Sequence, residues 1–311
     1  MSTTILQAIN GDIPPEIKLK SRDPLMSGIP DGILAIIAPV IAYWSYSTVF
    51  HLVDVYELAE KYRIHPSEEE QLRNKVPLHR VVQDVIVQHI IQIIAASILY
   101  LFEPVPVTGD ELYHMWTWKQ FLPWLPASLI YYGYNYGVSI IKFLVAIFIV
   151  DTWQYWLHKT MHQHPKLYRW FHSRHHQLYV PYAYGALFNN PVEGFLLDTL
   201  GTGIAALVTG LSQREATFMY VFATMKTIDD HCGYAFPWDP FQIIFPNNSV
   251  YHDIHHQNWG IKSNFSQPFF IIWDKINGTE YHFIEEYKKT QKQITFKKYR
   301  EFLDNKQKKK Q

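Results

Sequence analysis

The stretch Gly32 to Val53 (GILAIIAPVIAYWSYSTVFHLV) is apolar apart from hydroxyls and one histidine, and nothing else in the chain restricts its folding more. A helix that crosses a bilayer needs about 20 mostly apolar residues, and this run supplies them. In hydrocarbon every backbone N–H and C=O must be bonded within the protein, which leaves the helix as the element for such a segment. Val85 to Phe102 is a second run. Val138 to Val150 is a third, long enough only if it borrows its flanks, such as the aromatic stretch around Trp153, Tyr155 and Trp156. Mean hydropathy is slightly negative, at −0.13, because long polar segments separate the runs. The fold class expected is all-α: a polytopic membrane protein with transmembrane helices and a helical, histidine-rich cytosolic cap. The expected divisions are a polar N-terminal segment 1–30, a transmembrane region 31–150, a catalytic region 151–285 and a basic cytosolic tail 286–311.

Gly194 to Thr227 is a fourth apolar region, interrupted near Ser212-Gln213-Arg214-Glu215. Its arms look short for full spans, so it reads as a helical hairpin, at about 194–227, that enters and leaves on one side. Gly201-Thr-Gly203-Ile-Ala-Ala206 imitates a dinucleotide fingerprint but lacks the strand that motif requires. Small residues at close helix contacts explain it better. The loop Glu57 to Arg80 carries Lys61, Arg63, Arg73, Lys75 and Arg80, against three acids and one lysine in the loop Glu103 to Gln120. The positive-inside rule then places the first loop in the cytosol and the second in the lumen. Trp116, Trp118, Trp124 and the run Tyr131 to Tyr136 look like an interfacial belt on the lumenal side. No cleavable signal peptide is expected from MSTTILQAINGDIPPE, and the one cysteine, Cys232, excludes an intramolecular disulfide. The terminal Lys308-Lys309-Lys310-Gln311 resembles a dilysine retrieval signal. The expected location is therefore the endoplasmic-reticulum membrane. Zero formal net charge gives no footprint for nucleic acid.

Three histidine clusters follow the third run: His158-Lys-Thr-Met-His162, His172-Ser-Arg-His175-His176 and His252-Asp-Ile-His255-His256. They hold eight of the 16 histidines. Spacings of three and four put imidazoles on one face of a helix. A shared metal is the economical reason for such crowding, since imidazole suits iron, copper and zinc. A zinc protease would carry glutamate where Lys159 stands, and a structural zinc site takes four ligands, usually with cysteine. This set is too large for one ion and large enough for two. Asp151, Asp229, Asp230 and Asp253 are candidates to orient the imidazoles from behind. Tyr182, Tyr184, Phe188 and Trp259 could line an access route, although packing is the commoner fate of such residues.

The order HxxxH, HxxHH, HxxHH between apolar spans resembles the fatty acid hydroxylase superfamily of membrane di-iron enzymes, over roughly Asp151 to Phe283. Asp229-Asp-His-Cys-Gly-Tyr234, Tyr251-His-Asp-Ile-His-His-Gln-Asn-Trp259 and Asn264-Phe-Ser-Gln267 are most similar to its sphinganine C4-hydroxylase group. The resemblance implies two non-haem iron ions held by His158, His162, His172, His175, His176, His252, His255 and His256, with a further ligand from the region of His231. His164 and His282 are weaker candidates. It also implies O2-dependent hydroxylation of a sphingoid base or ceramide, with electrons from cytochrome b5 and its reductase. A sterol C4-methyl oxidase or C5-desaturase shares the clusters and the donor. A histidine-rich metal transporter is the rival of another class, but it would place ligands at the bilayer midplane. Three glycosylation sequons, at Asn247, Asn264 and Asn277, fall in the segment expected in the cytosol and should stay unmodified.

Overall fold

A computed structural model describes residues 3–308. The architecture is helical, with one two-stranded ribbon in which Lys20–Ser21 pairs antiparallel with Val107–Thr108. The principal helices are α1 (Thr3–Asn10), α2 (Asp31–Val55), α3 (Leu78–Tyr100), α4 (Glu111–Phe121), α5 (Ala127–Gln163), α6 (Pro191–Thr209), α7 (Gln213–Asp230), α8 (Ser249–His256) and α9 (Ile284–Lys308). Four of these, α2, α3, α5 and α6, are long and apolar enough to cross a membrane. The apolar runs therefore form helices as expected, and α6, thought too short, reaches the required length.

Ion pairs and hydrogen bonds mark a common level at one end of the bundle. Arg214 at the start of α7 meets Asp31 at the start of α2, at 2.7 Å. Gln213 donates to Glu103 just beyond α3, at 2.6 Å, and Lys142 of α5 donates to the Gly210 carbonyl at 2.7 Å. The α6–α7 turn thus sits level with the ends of α2 and α3, so the hairpin crosses the full depth of the bundle and returns. Gly210 in the left-handed region ends α6, and a capping box between Ser212 and Glu215 starts α7. Gly201 lies so close to Trp153 that a Cβ would sit 2.5 Å from its ring, a close helix contact. Gly203 meets nothing within 4 Å, so small-residue packing accounts for only part of that motif.

Helix α5 has 37 residues, with a π turn at Gly133–Gly137. At 1.5 Å per residue it is ~55 Å long, well beyond a hydrocarbon core of ~30 Å. It overhangs at both ends: one carries Tyr131 to Tyr136, the other His158 and His162. At the tyrosine end α1 packs on α4 and α5, with Ile9 fully buried among Met115, Ala127 and Ile130. At the histidine end α9, in the expected tail, clamps the loop after α2. Gln291 donates to the Ile64 carbonyl at 3.2 Å, and the Tyr287 hydroxyl donates to Asp253 at 2.6 Å. Of the expected dilysine pair, Lys308 ends α9 and Lys309 lies outside the described residues.

Candidate metal centre

Four different local devices deliver the nine histidines. Helix α5 presents His158 and His162 one turn apart in its final overhang. His172, His175 and His176 lie not on an α-helix but on the 3-10 turn His172–Gln177, whose tighter winding splays their rings. His231 is the C-cap of α7. Helix α8, capped by the Asn248 side chain, buries His252, His255 and His256. These elements converge into two groups: His158, His162, His172, His176 and His255, and then His175, His231, His252 and His256. Within each group the ligand atoms lie within 4.8 Å of one another. All nine expected ligands belong to one group or the other. His164 and His282 are exposed and belong to neither.

The donor set shows that a cation fits between the rings. His158 Nδ1 donates to the Phe265 carbonyl, His255 Nδ1 to Ser263, His256 Nδ1 to Leu178 and His231 Nδ1 to Thr227, each at 2.8 Å. His175 Nδ1 donates to the Phe188 carbonyl at 3.2 Å, and His172 Nδ1 is bonded to the Glu193 carboxylate. A neutral imidazole has one N–H. With it used at Nδ1, the inward Nε2 atoms present only lone pairs. Yet His158 and His172 bring Nε2 atoms to 3.0 Å, and His231 and His175 to 3.3 Å. His255 Nε2 is buried without any partner. Protonation is not the remedy. Burial first, and then the neighbouring imidazoles, hold His172, His176, His252, His255 and His256 well below the ordinary histidine range. His231 is lowered to about 3 for the same reasons, and burial lowers His175 to about 4. Facing lone pairs in a buried site suit a metal cation, and either group could hold one.

The acids chosen from sequence to orient imidazoles do other work. Asp151 accepts the Phe269 and Phe270 amides at 3.0 and 2.6 Å, Asp229 accepts Gln242 at 3.1 Å, and Asp230 is bonded to Lys226. Asp253 accepts from His65 and Tyr287 and so ties α8 to the flanking loop and α9. The orienting carboxylate is Glu193 on α6, buried against His172. Its only signal in sequence was an acid, one of two with Asp198, in an apolar region. Asp274 was also missed. It accepts the Phe265 and Ser266 amides at 3.0 and 2.8 Å and the Tyr251 hydroxyl at 2.8 Å. That holds the loop whose carbonyls position His158 and His255. Asn264 joins it at a positive φ of 57°, a conformation asparagine tolerates.

Two adjoining cavities lie between the histidines and the interior of the bundle. The smaller is lined by His172, His175, His231 and His252 together with Asn189, Asp198 and Asp230. The larger runs between α2, α3, α6 and α7, and both share Gln154, Asp198, Thr227 and Pro268. On α3 its wall extends from His89 to Leu99, ten residues or ~15 Å of helix. Ala35, Ile36, Ala96 and Leu99 line its far end, at the level of the α6–α7 turn. Gln154 and Thr227 each precede a histidine, His158 and His231, by four residues, about one helical turn. The chamber is thus polar beside the imidazoles and apolar toward the other face of the bundle. Tyr182, Phe188 and Trp259 do not line it. The first two pack in the core with Tyr43 and Val85, Tyr184, which lines neither cavity, packs against that core, and Trp259 meets Tyr281 and Tyr287 at steep ring angles.

Comparison with known proteins follows this geometry. The fatty acid hydroxylase family model matches residues 143–279. The chain is 56% identical over 294 residues to a sphingolipid C4-hydroxylase of Saccharomyces cerevisiae, spanning 94% of this chain and 84% of that protein. It is 43% identical over 251 residues to sphinganine C4-monooxygenase 1 of Arabidopsis thaliana, spanning 81% of this chain and 88% of that one. It is equally similar, 43% over 251 residues, to a very-long-chain aldehyde decarbonylase of Oryza sativa subsp. indica, spanning 81% and 89%. No solved structure matches.

Proposed function

The chain belongs to the fatty acid hydroxylase family, and from that premise we propose that it is an O2-dependent sphingolipid C4-hydroxylase, converting sphinganine-type lipids to phytosphingosine-type products. We assign one iron ion to His158, His162, His172, His176 and His255 and a second to His175, His231, His252 and His256. Iron is preferred to zinc because zinc has no redox chemistry. When bound, the irons supply the oxidant for an unactivated methylene, from O2 and two electrons delivered by cytochrome b5 and its reductase. The protein's part is placement. Backbone carbonyls and Glu193 hold the imidazoles with Nε2 inward, and burial keeps water from the reacting carbon. The chamber takes the lipid tail along the bundle, with its head in the polar throat. The observation that carries this reading is that a small polar cavity lined by His172 of one histidine group and by His175, His231 and His252 of the other adjoins the apolar chamber, with Gln154, Asp198, Thr227 and Pro268 on the walls of both. A transporter would need ligands near the midplane, whereas these crown one end of the bundle.

Lipid mass spectrometry tests the reading, in cells lacking endogenous long-chain-base hydroxylation but containing cytochrome b5 and its reductase. C4-hydroxylated base is expected with wild type and absent with His175→Ala. No such product from wild type would defeat the proposal; a change in C4-methyl sterols or in hydrocarbons from long-chain aldehydes would promote those rivals. We place the histidine end in the cytosol of the endoplasmic reticulum, as the basic loop Glu57 to Arg80 supports. Asn247 and Asn264 are fully buried, their amides donating to the Ser266 and Tyr251 carbonyls. Asn277 is therefore the useful reporter of sidedness, and its glycosylation would overturn this orientation.

A further inference from the structure

Asp198 is the carboxylate on the walls of the two cavities that lacks a cationic or imidazole partner among the described residues. Glu193 is bonded to His172 and Asp230 to Lys226. Asp198 receives only the Gln154 and Asn189 amides, each at 3.4 Å, the outer limit of a hydrogen bond. It sits on the π turn Phe195–Leu200, which interrupts α6 at this level. A carboxylate among apolar helices without a counter-charge is unfavourable, and a cationic ligand relieves it. Nearby on the chamber wall, Thr199 Oγ1 and His89 Nδ1 are buried without partners, as groups awaiting a ligand's hydroxyls would be.

We propose that Asp198 binds the C2 ammonium of a free sphingoid base and thereby selects the free base over its N-acylated form. This deepens the sphingolipid reading above and rests on it. Asp198 borders both cavities, and its donor Gln154 lies about one turn from His158. An amine held there leaves C4, two carbons along, at the mouth of the histidine-lined cavity, and the tail in the chamber. N-acylation removes the charge and adds a second chain to a throat already walled by Asn189, Leu197 and Gln154.

The test is equilibrium binding of sphinganine and N-acetylsphinganine to the purified full-length holoprotein, with turnover scored separately. Wild type is expected to bind sphinganine about tenfold or more tightly, the difference made by one charge-assisted contact. Asp198→Asn should bring that ratio near one by weakening sphinganine alone, and Asp198→Glu should keep a preference. Retained N-acetylsphinganine binding shows that the Asn variant is folded. If it is not, Asp198→Glu and the wild-type preference over an amine-free diol of equal chain length decide. A ratio unchanged in Asp198→Asn, or no wild-type preference for the amine, overturns the proposal. Binding as expected without C4-hydroxylated product from either lipid would defeat the hydroxylase reading and leave the amine site standing.

Discussion

Helix α2 leaves Ile41, Val49 and Leu52 exposed along its length, whereas α8 buries all eight of its residues, three histidines and an aspartate among them. The two are solutions to different solvents. A helix in hydrocarbon satisfies its backbone internally and can turn almost any apolar residue outward. Pro39 within α2 is tolerated on the same terms. Helix α8 is packed into polar protein, where each buried donor or acceptor needs a particular partner. Lipid-facing surface is therefore replaceable and the cap is not, and substitutions should separate the two regions sharply.

The largest effect expected is from His255→Ala in the five-histidine group and His175→Ala in the four-histidine group. Each should abolish product, reduce iron from about two per chain and leave the protein in the membrane. Full activity with unchanged metal content in either variant would remove that group from the centre. Glu193→Gln comes next: losing the charged partner of His172 should lower metal affinity or turnover by ~10–100-fold. Asp229→Asn, which faces no imidazole, should leave metal content alone. Equal effects would mean that Glu193 only packs.

A pair of glycines carries the comparison to stability. A Cβ at Gly260 would lie 1.9 Å from the Ile254 carbonyl oxygen, inside the cap, so Gly260→Ala should destabilise by about 1–3 kcal/mol. Gly203→Ala, with nothing within 4 Å, should be neutral or slightly stabilising in thermal unfolding. Helix propensity favours alanine there by up to ~1 kcal/mol. A larger loss at Gly203 than at Gly260 would reverse the contrast. The most gradual effect concerns pH. Burial alone would depress His65, but the Asp253 and Glu69 carboxylates outweigh it and raise it to about 9 from 6.5. A raised value means that this clamp is fully formed below pH 6.5 and is lost as pH rises through 9. Stability should fall over that window by on the order of 1–3 kcal/mol, read as a falling melting temperature, and His65→Gln should flatten the fall.

Much of the site was legible because metal ligation restricts chemistry to few residue types. His158 and His162 sit on a helix as their spacing implied, and the HxxHH clusters bring in the remaining imidazoles but one. His231 stands alone in sequence and enters its group only because α7 ends there. The supports were not legible. Asp229, Asp230 and Asp253 lie within two residues of ligands along the chain and bond elsewhere, because neighbouring residues on a helix point in different directions. Glu193 and Asp274 act from 21 and nine residues away along the chain, and carbonyl partners carry no side-chain signature at all.

From sequence alone followed the helical class, the apolar spans, the crowding of imidazoles and the family they resemble, since each is a local property of composition or spacing. The division of nine histidines into groups of five and four was decided only by tertiary packing. So were the depth of the α6–α7 hairpin, the carbonyls that turn five of the Nε2 atoms inward, and Asp198 without a counter-charge among the described residues, between throat and chamber. These depend on which helices meet and at what level, and residues as distant as Gln154 and Asp198 acquire a relation only when α5 and α6 pack together.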